Sequence, residues 1–184
     1  MLYCSQFVTG YGSGAVYATD QGVVKVEIPD LSHQHGAVQQ IVPSGIVPSR
    51  VTVQVAQMLQ RYFRGERMDF RDIPVFLDGM PLFRQNVLKA TRSLDYGEIC
   101  SYAQVARGCD SPHAARAVGG ALASNPVPII VPCHRVVASD GRLTGFSAPG
   151  GVETKRALLQ MEGIDCKGTM IVTNQMVMHS IPNK

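Results

Sequence analysis

Three absences narrow the reading of this 184-residue chain. It holds no CxxC pair: Cys4, Cys100, Cys109, Cys133 and Cys166 are odd in number and widely spaced, which argues against a disulfide framework or a compact zinc knuckle. It holds no apolar run near the roughly 20 residues that a membrane span needs, so no membrane partner is expected. Its first residues, Met1-Leu2-Tyr3-Cys4-Ser5-Gln6, lack the basic and apolar regions of a secretory signal, and a cytoplasmic location is expected. Charge is scarce as well. Only 17% of residues are charged against 45% hydrophobic, which excludes a disordered chain and suits a protein with a sizeable core. Internal repeats and low-complexity segments are also missing.

The charge that is present is unevenly placed. Through residue 80, six Lys and Arg meet seven Asp and Glu; after it, eleven meet seven. A basic C-terminal portion points toward an anionic partner such as nucleic acid, although many solvated surfaces carry such an excess.

Local pattern changes at the same place. Residues 1–30 read as strands punctuated by Gly10, Gly12, Gly14 and Gly22. After a loop containing Pro43 and Pro48, Ser49 caps a helix on which Val51, Val55, Met58, Leu59, Tyr62 and Phe63 recur at helical spacing. Tyr62, Phe63 and Met58 are expected to be core. From Phe83 onward the pattern becomes short, capped helices. Ser101 and Gln104 make a capping box, and the helix they open closes at Gly108. Ser111-Pro112 then supplies an N-cap and a proline at the first helical position, for a helix running to about Ser124. Two short helices on a tight turn are a helix-turn-helix signature. An extended PVPIIVPCHRVV stretch, the loop GFSAPGG and a last helix over about 152–162 follow. The expected fold class is therefore α/β (α+β): a strand-rich domain over 1–80 and a mainly helical domain over 81–184.

Within 114–124, AARAVGGALAS, the only long polar side chain is Arg116. Gly119 and Gly120 in mid-helix cost about 1 kcal/mol each relative to alanine. Either close approach to a partner or tight packing against a neighbouring strand would offset that. In VPCHRVV a cysteine adjoins a histidine. A free thiol titrates near 8.5, so Cys133 needs a base to become a nucleophile, and His134 is a natural one. Glu162 falls on the buried side of the last helix, three and four residues beyond Leu159 and Leu158, and needs a partner there. One obstacle stands: successive residues of a flat strand face opposite ways. Pro132 suggests that the backbone leaves strand geometry at that point.

The ordered set SYAQVA, ARAVGGALASNP, VPCHRVV, GFSAPGG and MEG resembles the O6-alkylguanine-DNA alkyltransferases over roughly residues 81–165. The resemblance implies an N-terminal domain of ribonuclease H-like topology. It also implies a monomer that repairs double-stranded DNA containing O6-alkylguanine from the minor-groove side, with no cofactor; some relatives carry structural zinc in the N-terminal domain, but no metal site is expected here. Cys133 would take the alkyl group irreversibly, once per molecule. His134 would pass the thiol proton through water toward Glu162, Tyr102 would bond the guanine and help it depart, and Asn125 would position the thiol. Arg116 would fill the gap left by the rotated nucleotide, among DNA-contacting residues Ser111, Ala115, Ala117 and Gly119. Val136, Ser147, Phe146 and Pro128 would line the pocket. Position 146 is Phe where many relatives carry Tyr, which removes one hydroxyl. Cys4, His33 and His35 lack a recognised zinc spacing. Two rival readings are a non-catalytic lesion-recognition module, whose members lack the acceptor cysteine, and a cysteine hydrolase, which would leave the helix pair unexplained.

Overall fold

A computed structural model describes residues 1–33, 36 and 38–172 of the chain. His35 and residues 173–184 of the expected C-terminal domain lie outside the described residues. The first strands form a meander: β1 (Tyr3–Thr9), β2 (Gly12–Thr19) and β3 (Gly22–Glu27) pair antiparallel in that order. Thr9 pairs with Gly12 and Thr19 with Gly22, so each hairpin turns on two residues. Alternation, with a β-bulge opposite Tyr17 and Ala18 that resets the register of β3, puts Phe7, Val16, Val23 and Val26 on the buried face.

Helix α1 (Arg50–Tyr62) covers that face with Val55, Leu59 and Tyr62, each fully buried. Its start is the expected one. Ser49 Oγ accepts the Thr52 N–H at 3.2 Å while Thr52 Oγ1 accepts the Ser49 N–H at 2.9 Å, a reciprocal cap built with threonine. Between α1 and the next helix, Val75 bridges Val23 of β3.

The remaining elements are α2 (Leu82–Arg92), β4 (Cys100–Ser101), α3 (Tyr102–Gly108), α4 (Ala115–Ala123), β5 (Val136–Val137), α5 (Gly151–Met161), β6 (Cys166–Lys167) and β7 (Met170–Ile171). The capping box at α3 is as expected, with Gln104 N–H to Ser101 Oγ at 3.2 Å and Ser101 N–H to Gln104 Oε1 at 2.8 Å. The start of α4 is not. Ser111 does not cap it: Ser111 O accepts the Ala114 N–H at 2.9 Å, closing a turn over 111–114 that delays the helix to Ala115. Asp110, at φ +53°, has already turned the chain out of α3.

The PVPIIVPCHRVV stretch also departs from expectation. Pro126, Pro128 and Pro132 have no N–H for a ladder, and Ile129 sits at φ +72°. The chain therefore turns at 127–131, winds one turn of 3-10 helix at Cys133–Arg135, and is a strand only at Val136–Val137, parallel to β4. The two halves are joined tightly. Val26 N–H bonds Pro126 O at 2.8 Å, Leu31 N–H bonds Thr154 Oγ1 at 3.0 Å, and one buried cluster runs from Phe7 through Tyr62 to Val118, Cys133 and Leu158. Among the described residues no helix is long and apolar enough to cross a membrane.

Candidate active site

The 3-10 turn removes the obstacle posed by flat strand geometry. At about three residues per turn, successive side chains leave the backbone roughly 120° apart. Cys133 and His134 thereby face different surroundings while remaining adjacent.

Cys133 points to the end of α4. Its Sγ accepts from Asn125 Nδ2 at 3.2 Å; the same amide donates to Val131 O at 2.9 Å and accepts the Val127 N–H at 3.1 Å. Asn125 thus ties the last turn of α4 to the loop that carries the thiol. Only 7% of Cys133 is exposed, and that exposure opens onto two cavities. The larger, about 700 Å³, is walled by Tyr102, Arg116, Gly119, Cys133, Thr144 and Phe146. The other, about 580 Å³, lies toward β3 and includes Pro128 and Asn125. Phe146 and Ser147 wall both. Burial pushes the thiol pKa up, against the Asn125 hydrogen bond and the charge of Lys155, which pull it down. The thiol is protonated at neutral pH and needs a proton acceptor to react.

His134 faces the core. It is fully buried, and its Nε2 lies 2.7 Å from Glu162 Oε1. Glu162 caps α5 and is held by four further bonds. Arg135 Nε reaches Oε2 at 2.8 Å and Arg135 Nη2 reaches Oε1 at 2.9 Å; the Gly97 N–H reaches Oε2 at 3.1 Å and Tyr62 O–H reaches Oε1 at 2.5 Å. Burial alone would raise the carboxyl pKa, but the His134 hydrogen bond and the hydrogen bonds and charge of Arg135 outweigh it and hold the group ionised. Burial lowers the imidazole pKa against the pull of Glu162, so His134 is neutral. An ionised carboxylate can only accept, which assigns the hydrogen between them to Nε2. Nδ1 then carries a lone pair, and it has no hydrogen-bond partner among the described residues.

Of the other expected site residues, Arg116, Ala115 and Gly119 meet Cys133 in the larger cavity. Ala117 is exposed on α4 and Ser111 sits in the preceding turn, both outside its wall. Val136 packs in the core and offers only its carbonyl, to Lys155 Nζ at 2.6 Å. Packing does not account for the two helical glycines. A Cβ on Gly119 would sit 3.9 Å from the Tyr102 ring, an ordinary contact, and one on Gly120 would meet nothing within 4 Å.

Comparison with known proteins fits this geometry. The family model described as "6-O-methylguanine DNA methyltransferase, DNA binding domain" matches residues 82–164. A methylated-DNA–protein-cysteine methyltransferase of Metallosphaera sedula is 33% identical over 163 residues, covering 89% of this chain and 94% of that protein. The chain belongs to the methylated-DNA–protein-cysteine methyltransferase family. A Haemophilus influenzae member is 47% identical over 111 residues, 60% of each chain, so the match spans about three-fifths of that relative's length. The crystal structure of Mycobacterium tuberculosis OGT in complex with DNA superposes with a TM-score of 0.69 at 33% identity, covering 87% of this chain and 92% of that one. The mixed α/β fold expected from the sequence is shared with it.

In this member of the methyltransferase family, sequence reasoning overlooked three site residues. Arg135 lies within VPCHRVV, but nothing in that motif shows that its guanidinium turns inward. Tyr62, at helical spacing with apolar neighbours, carries the pattern of a core residue alone. Lys155 is fully buried, with Nζ donating to Val136 O at 2.6 Å and Thr144 O at 3.0 Å and lying 3.4 Å from the Tyr102 hydroxyl. Burial lowers its pKa to about 8. A signal was available: Lys155 precedes Leu158 and Leu159 by three and four residues, on the buried face of α5.

Proposed function

We propose that the protein repairs O6-alkylguanine in double-stranded DNA by transferring the alkyl group to Cys133. What carries the reading is a protonated thiol in the wall of a cavity, beside a neutral histidine whose tautomer a buried carboxylate fixes. In the reaction, the Cys133 proton passes through water to His134 Nδ1, and imidazolium forms against Glu162. Sγ attacks the carbon bonded to O6; the S–C bond forms as the C–O6 bond breaks, and the electron pair leaves on guanine. Tyr102 donates its proton to the departing base and recovers one from the relay, so the thiol proton ends on guanine. The thioether has no path back, and each molecule acts once. No cofactor or metal enters the step.

The DNA side follows from α4. An O6 substituent is out of reach inside the stack, so the nucleotide has to rotate out. On this reading α3 and α4 act as a helix-turn-helix docked from the minor-groove side, with Ala115, Gly119 and Ala117 close to the backbone, Ser111 at its edge, and Arg116 in the gap. Phe146, Ser147 and Pro128 line the space for the alkyl group. Residues 1–80 form a domain of ribonuclease H-like topology, residues 81–184 carry the chemistry, and the protein works as a cytoplasmic monomer.

The test uses duplex DNA carrying radiolabelled O6-methylguanine, followed by digestion and mapping. One label per molecule on Cys133, and none in Cys133→Ala, is expected. Label elsewhere, or repeated turnover, would overturn the mechanism. Binding without transfer would favour a recognition module.

A further inference from the structure

One residue whose placement the proposed chemistry leaves unused is Tyr62. It ends α1, in the half of the chain remote from the cysteine motif, on a helix face otherwise made of Thr52, Val55, Ala56 and Leu59. Its ring is fully buried, edge-on to Phe63, Phe70 and Tyr96 with centroids 5.6, 6.2 and 6.1 Å away. A phenylalanine would fill that space equally well. The hydroxyl is what distinguishes it: 2.5 Å from Glu162 Oε1 and 3.3 Å from His134 Nε2, across 100 and 72 residues of sequence.

We propose that Tyr62 is a positioning residue of the proton relay, its hydroxyl holding Glu162 and setting how strongly that carboxylate pulls on His134. This rests on the alkyl-transfer reading above. Oε1 accepts from three donors, Tyr62 O–H, His134 Nε2–H and Arg135 Nη2–H. Burial and the neighbouring carboxylate keep the phenol protonated, so its hydrogen stays committed to Oε1. Each donor draws on the same negative charge, and the Tyr62 share weakens what reaches His134. The other groups around the relay are Arg135 and Cys133 on the same turn, Lys155 on α5, and Tyr96, whose ring lies under Arg135 and whose hydroxyl bonds Met161 O. Farther out, Arg67 acts on Tyr96 and Asp69 feels Arg135. All of these are unchanged by removing one hydroxyl from α1. His134 should then hold its proton to a higher pH, and a protonated imidazole cannot take the thiol proton.

The experiment measures transfer from free O6-benzylguanine between pH 5.5 and 9, which removes DNA binding from the readout. It compares the full chain with Tyr62→Phe and Leu59→Ala. Tyr62→Phe should move the acid limb of the rate profile upward by about half a pH unit, the order expected when one of several hydrogen bonds to a carboxylate is lost. Leu59→Ala should lower the melting temperature and leave the limb in place. NMR titration of the His134 ring in wild type and Tyr62→Phe gives the same answer without activity, at a temperature where both are folded. Superimposable profiles and ring titrations, or an equal shift in Leu59→Ala, would overturn the role. Wild-type protein that transfers nothing to Cys133 would instead overturn the reading beneath it.

Discussion

Two regions meet at Cys133 and differ in nearly every physical respect. Behind it, His134, Arg135, Glu162 and Tyr62 form a polar cluster buried in the core, in which the carboxylate accepts bonds from every side. In front of it, α4 shows solvent a surface of Ala, Gly and one exposed arginine, with space that its own chain does not fill. The rear cluster is held by partners within the protein, so its geometry exists before any substrate arrives. The front surface gives up helix stability to remain bare. The two sides of one atom are thus stabilised by different means, and should fail separately.

The largest expected effect is at the rear. Glu162→Gln leaves Arg135 and His134 facing a neutral amide in the core. It should cost about 3–5 kcal/mol, a melting-temperature drop of roughly 6–20 °C at this chain length. Thermal denaturation checks it, and a variant as stable as wild type would remove the cluster's structural importance.

Acid should act on the same cluster. His134 and Glu162 both have folded pKa values below their ordinary 6.5 and 4.5. The unfolded chain therefore takes up these protons at higher pH than the folded one. The contribution of this pair is complete above about pH 6.5, falls first through His134 as the pH drops, and falls further below about 4.5 through Glu162. Melts recorded from pH 8 to 4 should show that descent; a flat melting temperature between 7 and 5 would contradict a neutral buried His134.

At the front, Arg116→Ala should leave the melting temperature unchanged. Repair of duplex should fall about tenfold to a hundredfold, because extruding a base costs a few kcal/mol, while reaction with free O6-benzylguanine stays within about twofold. Equal losses on the two substrates would refute the role in extrusion. Smallest is Gly120→Ala, which should stabilise the protein by about 0.5–1 kcal/mol, since the added methyl meets nothing. Duplex binding should weaken at the same time. A gain in stability with unchanged binding would mean that the glycine serves no approaching partner.

Local rules made some of this legible in sequence and left the rest obscure. Ser49, and Ser101 with Gln104, announce helix starts because each cap is completed within four residues. Glu162 could be matched to His134 because helix phase put a carboxylate on a buried face. Ser111-Pro112 satisfied the same local rules and misled, because the Ala114 N–H closes a tighter turn on Ser111 O. The turn at Cys133–Arg135 was hinted at by Pro132 but not specified, since three prolines exclude a ladder without choosing its replacement. Tyr62 was beyond such rules. Its hydroxyl is given meaning only by a residue 100 positions away, and its ring alone satisfied every expectation of a core side chain.

Cys133 stands in a wall common to two rooms, not at the bottom of one. In the proposed reaction the departing base and the group it leaves behind then need not share an exit. The base can withdraw along α4 while the new thioether leans toward β3, where Lys25 and Glu27 form the far side. On the proposed reading, bulk in the transferred group meets β3 as well as Pro128, Phe146 and Ser147, so the size of lesion tolerated depends in part on a sheet that carries none of the motif.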